Sequence, residues 1–365
     1  MKQLSPLSFV ALFILFLSSI DHVESWSLTN LRSSSSSRSI RSLSKYHRLT
    51  TNINAAAVAI SGGEGAEVEE ILDEKERLRR KARAEGGRFT IHTKLGSLNP
   101  YGFWYMFMSV FLGLFWYASM WFLQGLYFLS RNRLDPRRRL VTLASQCWGE
   151  SMMWIANIRP PMEGLDKFQD YMKNNKNQTA MLVANHNSWL DIPFLGTIFG
   201  WKYNYKLVSK AELGKVPILG KAIRLGRHVM LDRNSRKSQI LTIRQGMDLL
   251  KNGVYVCTFP EGTRSKTGRL APFKNGAFKM AHKVKAPVIP VSIVGSGSAM
   301  PHYWLMPFQA PSKVAKVIIH DPISSEDKTE AELVRQVRAK IIEGLPEDQR
   351  PTEEEENEEN KENKK

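Results

Sequence analysis

The apolar residues of this chain cluster in long runs, and the longest run predicts a helix that contacts a membrane. No charged residue occurs from Leu95 to Ser130. A helix that crosses the hydrocarbon core of a bilayer needs about 20 apolar residues, so the run is long enough for one tilted span. Gly113 and Gly125 could bend it. We therefore predict a membrane segment over residues 95–131, either a single helix or a re-entrant helical pair.

The composition around this run supports a membrane partner. Trp and Tyr recur within it, and five arginines follow between residues 131 and 139. Trp and Tyr concentrate at membrane–water interfaces, and basic clusters beside them pair with anionic headgroups. Length and flanking charge both disfavour a buried helix of a soluble core.

Beyond about Trp148 the pattern changes to alternating strands and helices. The helical runs are Ser235–Lys251, Gly276–Val284 and Glu330–Ile342, and the first is predicted to bury a face of Ile240, Ile243, Met247 and Leu250. The strand-like runs are Ala180–Ala184, Tyr203–Ser209, His228–Leu231, Val254–Phe259, Val288–Val294 and Val314–His320. Such alternation predicts an α/β fold with a sheet covered by helices.

The charge of the chain narrows the class of partner. Its 365 residues include 52 Lys and Arg against 35 Asp and Glu, a formal net charge of +17. A basic surplus favours anionic partners. Many of the aromatic residues lie in one uncharged run instead of among the basic residues, so we do not expect nucleic acid. The basic residues expected to face anionic lipid or a phosphorylated donor are Lys202, Lys206, Lys210, Lys215 and Lys221.

Cysteine usage excludes two further classes. Cys147 and Cys257 are the only cysteines, too few for a disulfide framework or a zinc site. We predict no metal and no cofactor, and we assign Cys257 to packing because it lies inside an apolar strand.

The first candidate for chemistry is the segment Asn185–Asp191, which follows an apolar strand. His186 then lies at a strand end, where active-site loops gather. Histidine is the natural general base near neutral pH, and Asp191 five residues later could bond the far ring nitrogen and fix its tautomer. The chain has no Gly-x-Ser-x-Gly motif to supply a nucleophile, so the activated hydroxyl could belong to a substrate.

The second candidate is Phe259-Pro260-Glu261-Gly262-Thr263-Arg264-Ser265, which also follows a strand. Gly262 permits close approach of the backbone to a ligand. Thr263 and the backbone N–H groups can donate to an oxyanion, and Arg264 offers two parallel donors to phosphate. A surface ion pair between Glu261 and Arg264 is the plainer alternative. Arg233, at the end of a third short strand, could bind phosphate or pair with Asp232.

In order and spacing these segments resemble the blocks of the glycerolipid acyltransferase family, of the lysophosphatidic acid acyltransferase type. Asn185–Asp191 is similar to its His-x4-Asp block, Phe259–Ser265 to its Phe-Pro-Glu-Gly-Thr-Arg-Ser block and Val288–Val291 to its proline-containing block. The block with Arg233 departs from the pattern, because Arg227 occupies the position of the usual glycine.

The resemblance implies a mixed sheet and a direct acyl transfer. His186 and Asp191 would be catalytic, and the acceptor would be bound by Arg233, Glu261, Gly262, Thr263 and Arg264. An acyl thioester of acyl carrier protein or coenzyme A would donate the chain to the sn-2 hydroxyl of lysophosphatidate, giving phosphatidate. Another lysophospholipid or glycerol-3-phosphate as acceptor stays open, and so does a non-catalytic membrane protein that binds lipid.

The termini carry separate expectations. Residues 1–25 have the layout of a signal peptide, and residues 26–61 are Ser- and Arg-rich like a transit peptide. Together they resemble the bipartite presequence of algae with secondary plastids; the alternative is the secretory route and the endoplasmic reticulum. We expect a charged linker at 62–94, the acyltransferase domain at 132–345 and a disordered acidic tail at 346–365.

Overall fold

A computed structural model describes most of the chain from residue 91 onward. The predicted signal peptide, the transit-peptide-like segment, most of the charged linker and the acidic run at 353–365 lie outside the described residues. The described ranges are 91–93, 96–175, 178–216, 218–302, 304 and 306–352.

The apolar run forms one uninterrupted helix, α1 (Pro100–Leu129). Asn99 caps its start by accepting a hydrogen bond from the Gly102 N–H at 2.7 Å, and Pro100 occupies the first turn, where its missing N–H costs nothing. Of the two predicted arrangements, the structure therefore has the single helix. With a mean hydropathy of 1.6, α1 alone among the described residues is long and apolar enough to cross a membrane.

A short antiparallel hairpin, β1 (Ile91–Thr93) and β2 (Gly96–Leu98), precedes this helix. The sequence placed residues 91–94 in a linker and began the membrane segment at residue 95. Three-residue strands carry too little periodicity to be detected in a sequence.

Helix α1 packs along a second helix, α2 (Arg139–Ile155), which runs antiparallel to it. Near one end Tyr101 donates to the Ala156 carbonyl at 2.8 Å, and farther along Trp116 donates to the Ser145 hydroxyl at 3.1 Å. The opposite side of α1 exposes a row of phenylalanines spaced mostly four residues apart, a spacing that places them on one face. These are Phe103, Phe107, Phe111, Phe115 and Phe122.

The central sheet has seven strands in the order β3-β9-β8-β4-β7-β5-β6. All neighbours are parallel except β8 and β9, so the sheet is mixed and the predicted α/β class is confirmed. The strands are β3 (Met162–Glu163), β4 (Met181–Ala184), β5 (Tyr205–Lys210), β6 (Val229–Leu231), β7 (Tyr255–Thr258), β8 (Val288–Val294) and β9 (Lys316–Ile319).

Helices cover both faces of this sheet. Met181, Val256 and Val288 face a core shared with α6, α7 and α10, whereas Tyr205 and Tyr255 on the other face stack against Phe199 of α4. The helices after α2 are α3 (Leu165–Asn174), α4 (Asp191–Phe199), α5 (Leu219–Leu225), α6 (Arg236–Lys251), α7 (Gly276–Val284), α8 (Ser296–Ala299), α9 (Pro311–Val314) and α10 (Glu330–Gly344), with 3₁₀ turns at Ala211–Lys215 and Glu347–Gln349.

The buried face of α6 matches the predicted one except at Ile240. Leu250 is buried and Ile243 and Met247 pack against the core, together with buried Thr242 and Gly246, whereas Ile240 is 48% exposed. Any side chain at residue 246 would collide with the Met280 sulfur of α7. Close packing of these two helices therefore selects glycine at residue 246.

The folded part of the chain extends further toward the C-terminus than the sequence predicted. Gln349 is buried, and its carbonyl accepts a hydrogen bond from the Leu270 N–H at 2.9 Å. Residues 346–352 therefore belong to the folded domain and not to the disordered tail in which they were expected.

Two of the five lysines predicted to face a lipid or a donor do not. Lys206 is fully buried, and its amine donates to the Thr142 hydroxyl at 2.8 Å and the Arg138 carbonyl at 3.2 Å. The Lys221 amine lies 2.8 Å from the centroid of the Trp121 ring, so it is covered by α1. Burial lowers the pKa of Lys206 to about 7, although Asp135 acts in the opposite direction.

Replacing Lys206 by Met should remove a pH dependence of stability. Unfolded lysine keeps its proton up to pH 10.5 and Lys206 in the fold only to about 7. Between these values the unfolded state binds more protons, so the free energy of unfolding rises with pH. Lys206→Met should flatten that rise and stabilise the fold at pH 7 by about 1 to 3 kcal/mol.

Urea unfolding at several pH values measures this, and Lys202→Met is the exposed control. An unchanged pH slope in Lys206→Met would show that the amine keeps its proton inside the fold.

Candidate active site

The candidate residues meet because of the strand order. β4 and β7 are parallel neighbours, so the segments that follow them leave the sheet at the same edge. The first segment carries His186 and the second is Phe259–Ser265. A direct bond joins them, since the Ser265 N–H donates to the His186 carbonyl at 2.8 Å.

Asp191 holds the imidazole of His186 in one orientation. Asp191 is fully buried at the first position of α4, and its Oδ2 lies 2.8 Å from Nδ1 of His186. The same oxygen accepts the backbone N–H groups of Asn187 and Ser188, at 2.7 and 2.8 Å. Because an ionised carboxylate can only accept a hydrogen bond, Nδ1 of His186 carries the hydrogen. Nε2 therefore has a free lone pair that can accept a proton.

The surroundings of His186 favour its neutral form. Its ring stacks on Phe259 with centroids 3.9 Å apart, and its side chain is 14% exposed. Burial lowers the pKa of His186, and the charges of Arg264 and Lys210 add to this effect, whereas Asp191 opposes it. A neutral imidazole near pH 7 can accept a proton, which is what a general base requires.

The Glu261 carboxylate is bonded to the backbone of the site. It is buried, and its two carboxylate oxygens accept the backbone N–H groups of His186 at 2.7 Å and Ala271 at 3.0 Å. Burial raises the pKa of Glu261 to about 8. Glu261 therefore connects its own loop with the backbone at His186 and at Ala271. The surface ion pair with Arg264, which was the plainer interpretation of the sequence, is not formed.

Arg264 lies beside the base and is held by contacts on two sides. Its guanidinium stacks over the Trp189 ring, 4.6 Å from the centroid, and donates to the His302 carbonyl. Thr263 is exposed on the same loop. Both are therefore at the site, and Trp189 is a partner of Arg264 that the sequence reasoning did not single out.

Gly262 lies opposite Arg233. It has a φ of +82°, and a Cβ at this position would lie 3.2 Å from Nη2 of Arg233. The glycine thus provides both the left-handed backbone and the space beside the guanidinium. Within the part of the chain that the structure describes, no cluster of three or more His, Cys, Asp or Glu residues could hold a metal ion.

Comparisons with known proteins find similar acyltransferases. Residues 162–294 match the family model described as Acyltransferase. A chloroplastic 1-acyl-sn-glycerol-3-phosphate acyltransferase of Arabidopsis thaliana is 36% identical over 212 residues, which cover 58% of this chain and 56% of that protein. One of Brassica napus, also chloroplastic, is 42% identical over 122 residues, covering 33% of this chain and 35% of that protein. The chain thus spans 35% and 56% of the lengths of these relatives.

A solved structure extends the similarity to three dimensions. The crystal structure of a 1-acyl-sn-glycerophosphate acyltransferase from Thermotoga maritima superposes with a TM-score of 0.50 at 27% identity. The match covers 66% of this chain and 95% of that chain, so the bacterial fold is reproduced almost entirely.

The pKa of His186 can be measured without an assay of the proposed reaction. Diethyl pyrocarbonate modifies neutral imidazole, so the rate for His186 should rise with pH and reach half its maximum below 6.5. Arg264→Met should move this midpoint upward, because removing a nearby cation favours the protonated ring.

Mass spectrometry of the peptide that contains His186 gives the rate, with N-acetylhistidine as the reference. A midpoint above 6.5 in the wild type would mean that Asp191 outweighs burial.

Proposed function

We propose that the chain transfers an acyl chain from a thioester to the sn-2 hydroxyl of lysophosphatidate, forming phosphatidate; residues 162–294, which match the acyltransferase family model, contain the candidate site. The observation that carries the proposal is the buried Asp191–His186 pair, with Nε2 left available beside the loop that carries Gly262 and Arg264, while Arg233 approaches Gly262 from the segment after β6. The relatives named as 1-acyl-sn-glycerol-3-phosphate acyltransferases support the same reaction.

The chemistry follows from the orientation of the imidazole. Nε2 of His186 takes the proton of the acceptor hydroxyl while the oxygen attacks the thioester carbonyl. The new C–O bond forms, the C–S bond breaks and the thiolate leaves, after which the imidazolium returns the proton to the thiolate or to water. A thiol of pKa about 8.5 leaves readily, so a separate general acid is not required. Asp191 stabilises the imidazolium that forms during the step.

No acyl-enzyme is needed in this mechanism. Cys257 is fully buried in β7, and burial raises the pKa of its thiol well above the ordinary value. Its side chain therefore packs inside the sheet and does not act as a nucleophile.

The arrangement of α1 supports attachment to a membrane, where both lipids are found. The helix lies along α2 on one side and exposes its phenylalanine row on the other, with Phe115 at 64% and Phe122 at 71% exposed. Apolar surface of this extent marks an interaction site. We propose that this face lies in the lipid while α2 connects it to the catalytic domain. The donor would be an acyl thioester of acyl carrier protein or coenzyme A, and a plastid location would favour the carrier protein.

The experiment that tests the reaction uses membranes that carry the protein without residues 1–61. A labelled acyl thioester, of carrier protein or coenzyme A, is offered with lysophosphatidate, glycerol-3-phosphate or lysophosphatidylcholine. Wild type should form phosphatidate, and His186→Ala should lose about 10²- to 10⁴-fold of the rate because it lacks the base. His282→Ala, which changes a histidine at the end of α7, is the matched control.

Each outcome decides between the functions considered. Transfer to another acceptor would keep the mechanism and change the substrate. If the folded protein transfers to no acceptor from either donor, the enzyme is ruled out and a lipid-binding protein is left. Loss of the protein from the membranes on washing with high salt would contradict insertion of the α1 face.

We further propose a plastid location, supported by the composition of residues 1–61 and by the chloroplastic relatives. A fluorescent protein fused behind residues 1–61 should enter the plastid of an alga with secondary plastids. The same fusion without residues 26–61 should be secreted, because only the signal peptide remains. Secretion of both fusions would contradict the plastid address.

A further inference from the structure

A second cation approaches Gly262 beside Arg233. A Cβ at this glycine would lie 3.2 Å from Nζ of Lys274, the same distance as from Nη2 of Arg233. The two side chains come from separate segments, since Arg233 follows β6 and Lys274 precedes α7. The backbone of Lys274 is fixed to the loop, because its N–H donates to the Pro260 carbonyl at 3.0 Å.

This convergence of two positive charges is unfavourable on its own. Burial and the charge of Arg233 both lower the pKa of Lys274, and burial also lowers the pKa of Arg233. No hydrogen bond or ion pair joins either side chain to a carboxylate among the described residues, although Glu212 acts on Arg233 from a distance. Two cations so arranged are suited to an anion with two negative charges and several acceptor oxygens.

The neighbouring helix adds to the positive potential. α7 begins at Gly276, two residues after Lys274, and no side chain caps its start. The first N–H groups of a helix carry partial positive charge and favour a nearby anion.

The cation pair is also close to the base. Gly262 follows Glu261, whose carboxylate bonds the backbone of His186. In an acceptor with a phosphate on the carbon next to the reacting hydroxyl, the two groups are a few bonds apart, so both must be bound at one end of the same loop. Arg264 is already engaged by Trp189 and the His302 carbonyl, which leaves the main contact with phosphate to other cations.

We propose that Arg233 and Lys274 together bind the phosphate of the acceptor across Gly262, while His186 takes the proton of the adjacent hydroxyl. Lys274 lies outside the recognised sequence blocks, and this assignment rests on the proposed acyl transfer. The pair selects a phosphomonoester, which carries up to two charges, over the bulkier phosphodiester of a lysophospholipid with a headgroup.

Kinetics with varied acceptor and varied donor test this assignment. Lys274→Met should raise the KM for lysophosphatidate about 10-fold or more, as loss of one charge-assisted hydrogen bond predicts. The kcat and the KM for the acyl donor should change little, because the base and the thioester site are untouched. Lys274→Arg should restore most of the affinity, and Lys279→Met, one exposed lysine farther along α7, should behave as wild type.

A binding measurement separates failure of this inference from failure of the proposed function. Tryptophan fluorescence in detergent micelles reports binding of lysophosphatidate and of monoacylglycerol, which lacks the phosphate, without any turnover. Lys274→Met should weaken binding of the first and not the second, and melting curves confirm that the variant folds.

An active wild type whose acceptor KM is unaffected by Lys274→Met would overturn the assignment and leave the enzyme intact. A rise in the donor KM alone would also overturn it, because the cations would then bind the phosphate of the thioester carrier. An inactive wild type would refute the proposed function, and the binding arm would still decide whether Lys274 recognises phosphate.

Discussion

The geometry of the candidate active site depends on one buried carboxylate oxygen. Oδ2 of Asp191 accepts from the imidazole of His186 and from two backbone N–H groups of the turn between β4 and α4. The turn is therefore folded around the atom that orients the base. Because α4 begins at Asp191 and packs on the sheet through Phe199, the position of the imidazole is fixed by the core of the domain and not by a flexible loop.

The parts of the site that sequence reasoning could find are those determined locally. His186 and Asp191 are five residues apart, and the residues of Phe259–Ser265 are contiguous, so each block carries its own signal. The hydrogen bonds of Glu261 could not be predicted from the local sequence. Its partners, His186 and Ala271, lie 75 and 10 residues away along the chain, and only the adjacency of β4 and β7 brings them together.

The burial of Lys206 shows why one misassignment arose. Its charge predicted a place facing an anionic partner, but the interior accepts the lysine because Arg138 and Thr142 supply acceptors for its amine. These acceptors are more than 60 residues away along the chain. The fold class itself survives such errors, because it follows from the number and order of strands and helices.

Hydrogen bonds from the last residues of the domain determine when the site can be completed during synthesis. The Gln349 carbonyl accepts a hydrogen bond from the Leu270 N–H, and the N–H of Ala271, the residue after Leu270, donates to the Glu261 carboxylate. Glu261 in turn accepts from the His186 N–H. Arg350 makes a second hydrogen bond to this segment, since its carbonyl accepts from the Arg269 guanidinium at 2.9 Å. The ribosome synthesises Asn185–Asp191 and Phe259–Ser265 long before residues 349 and 350. A nascent chain that already contains His186, Asp191 and Arg264 therefore still lacks the contacts of Gln349 and Arg350, and the candidate site is complete only when almost the whole domain has been synthesised.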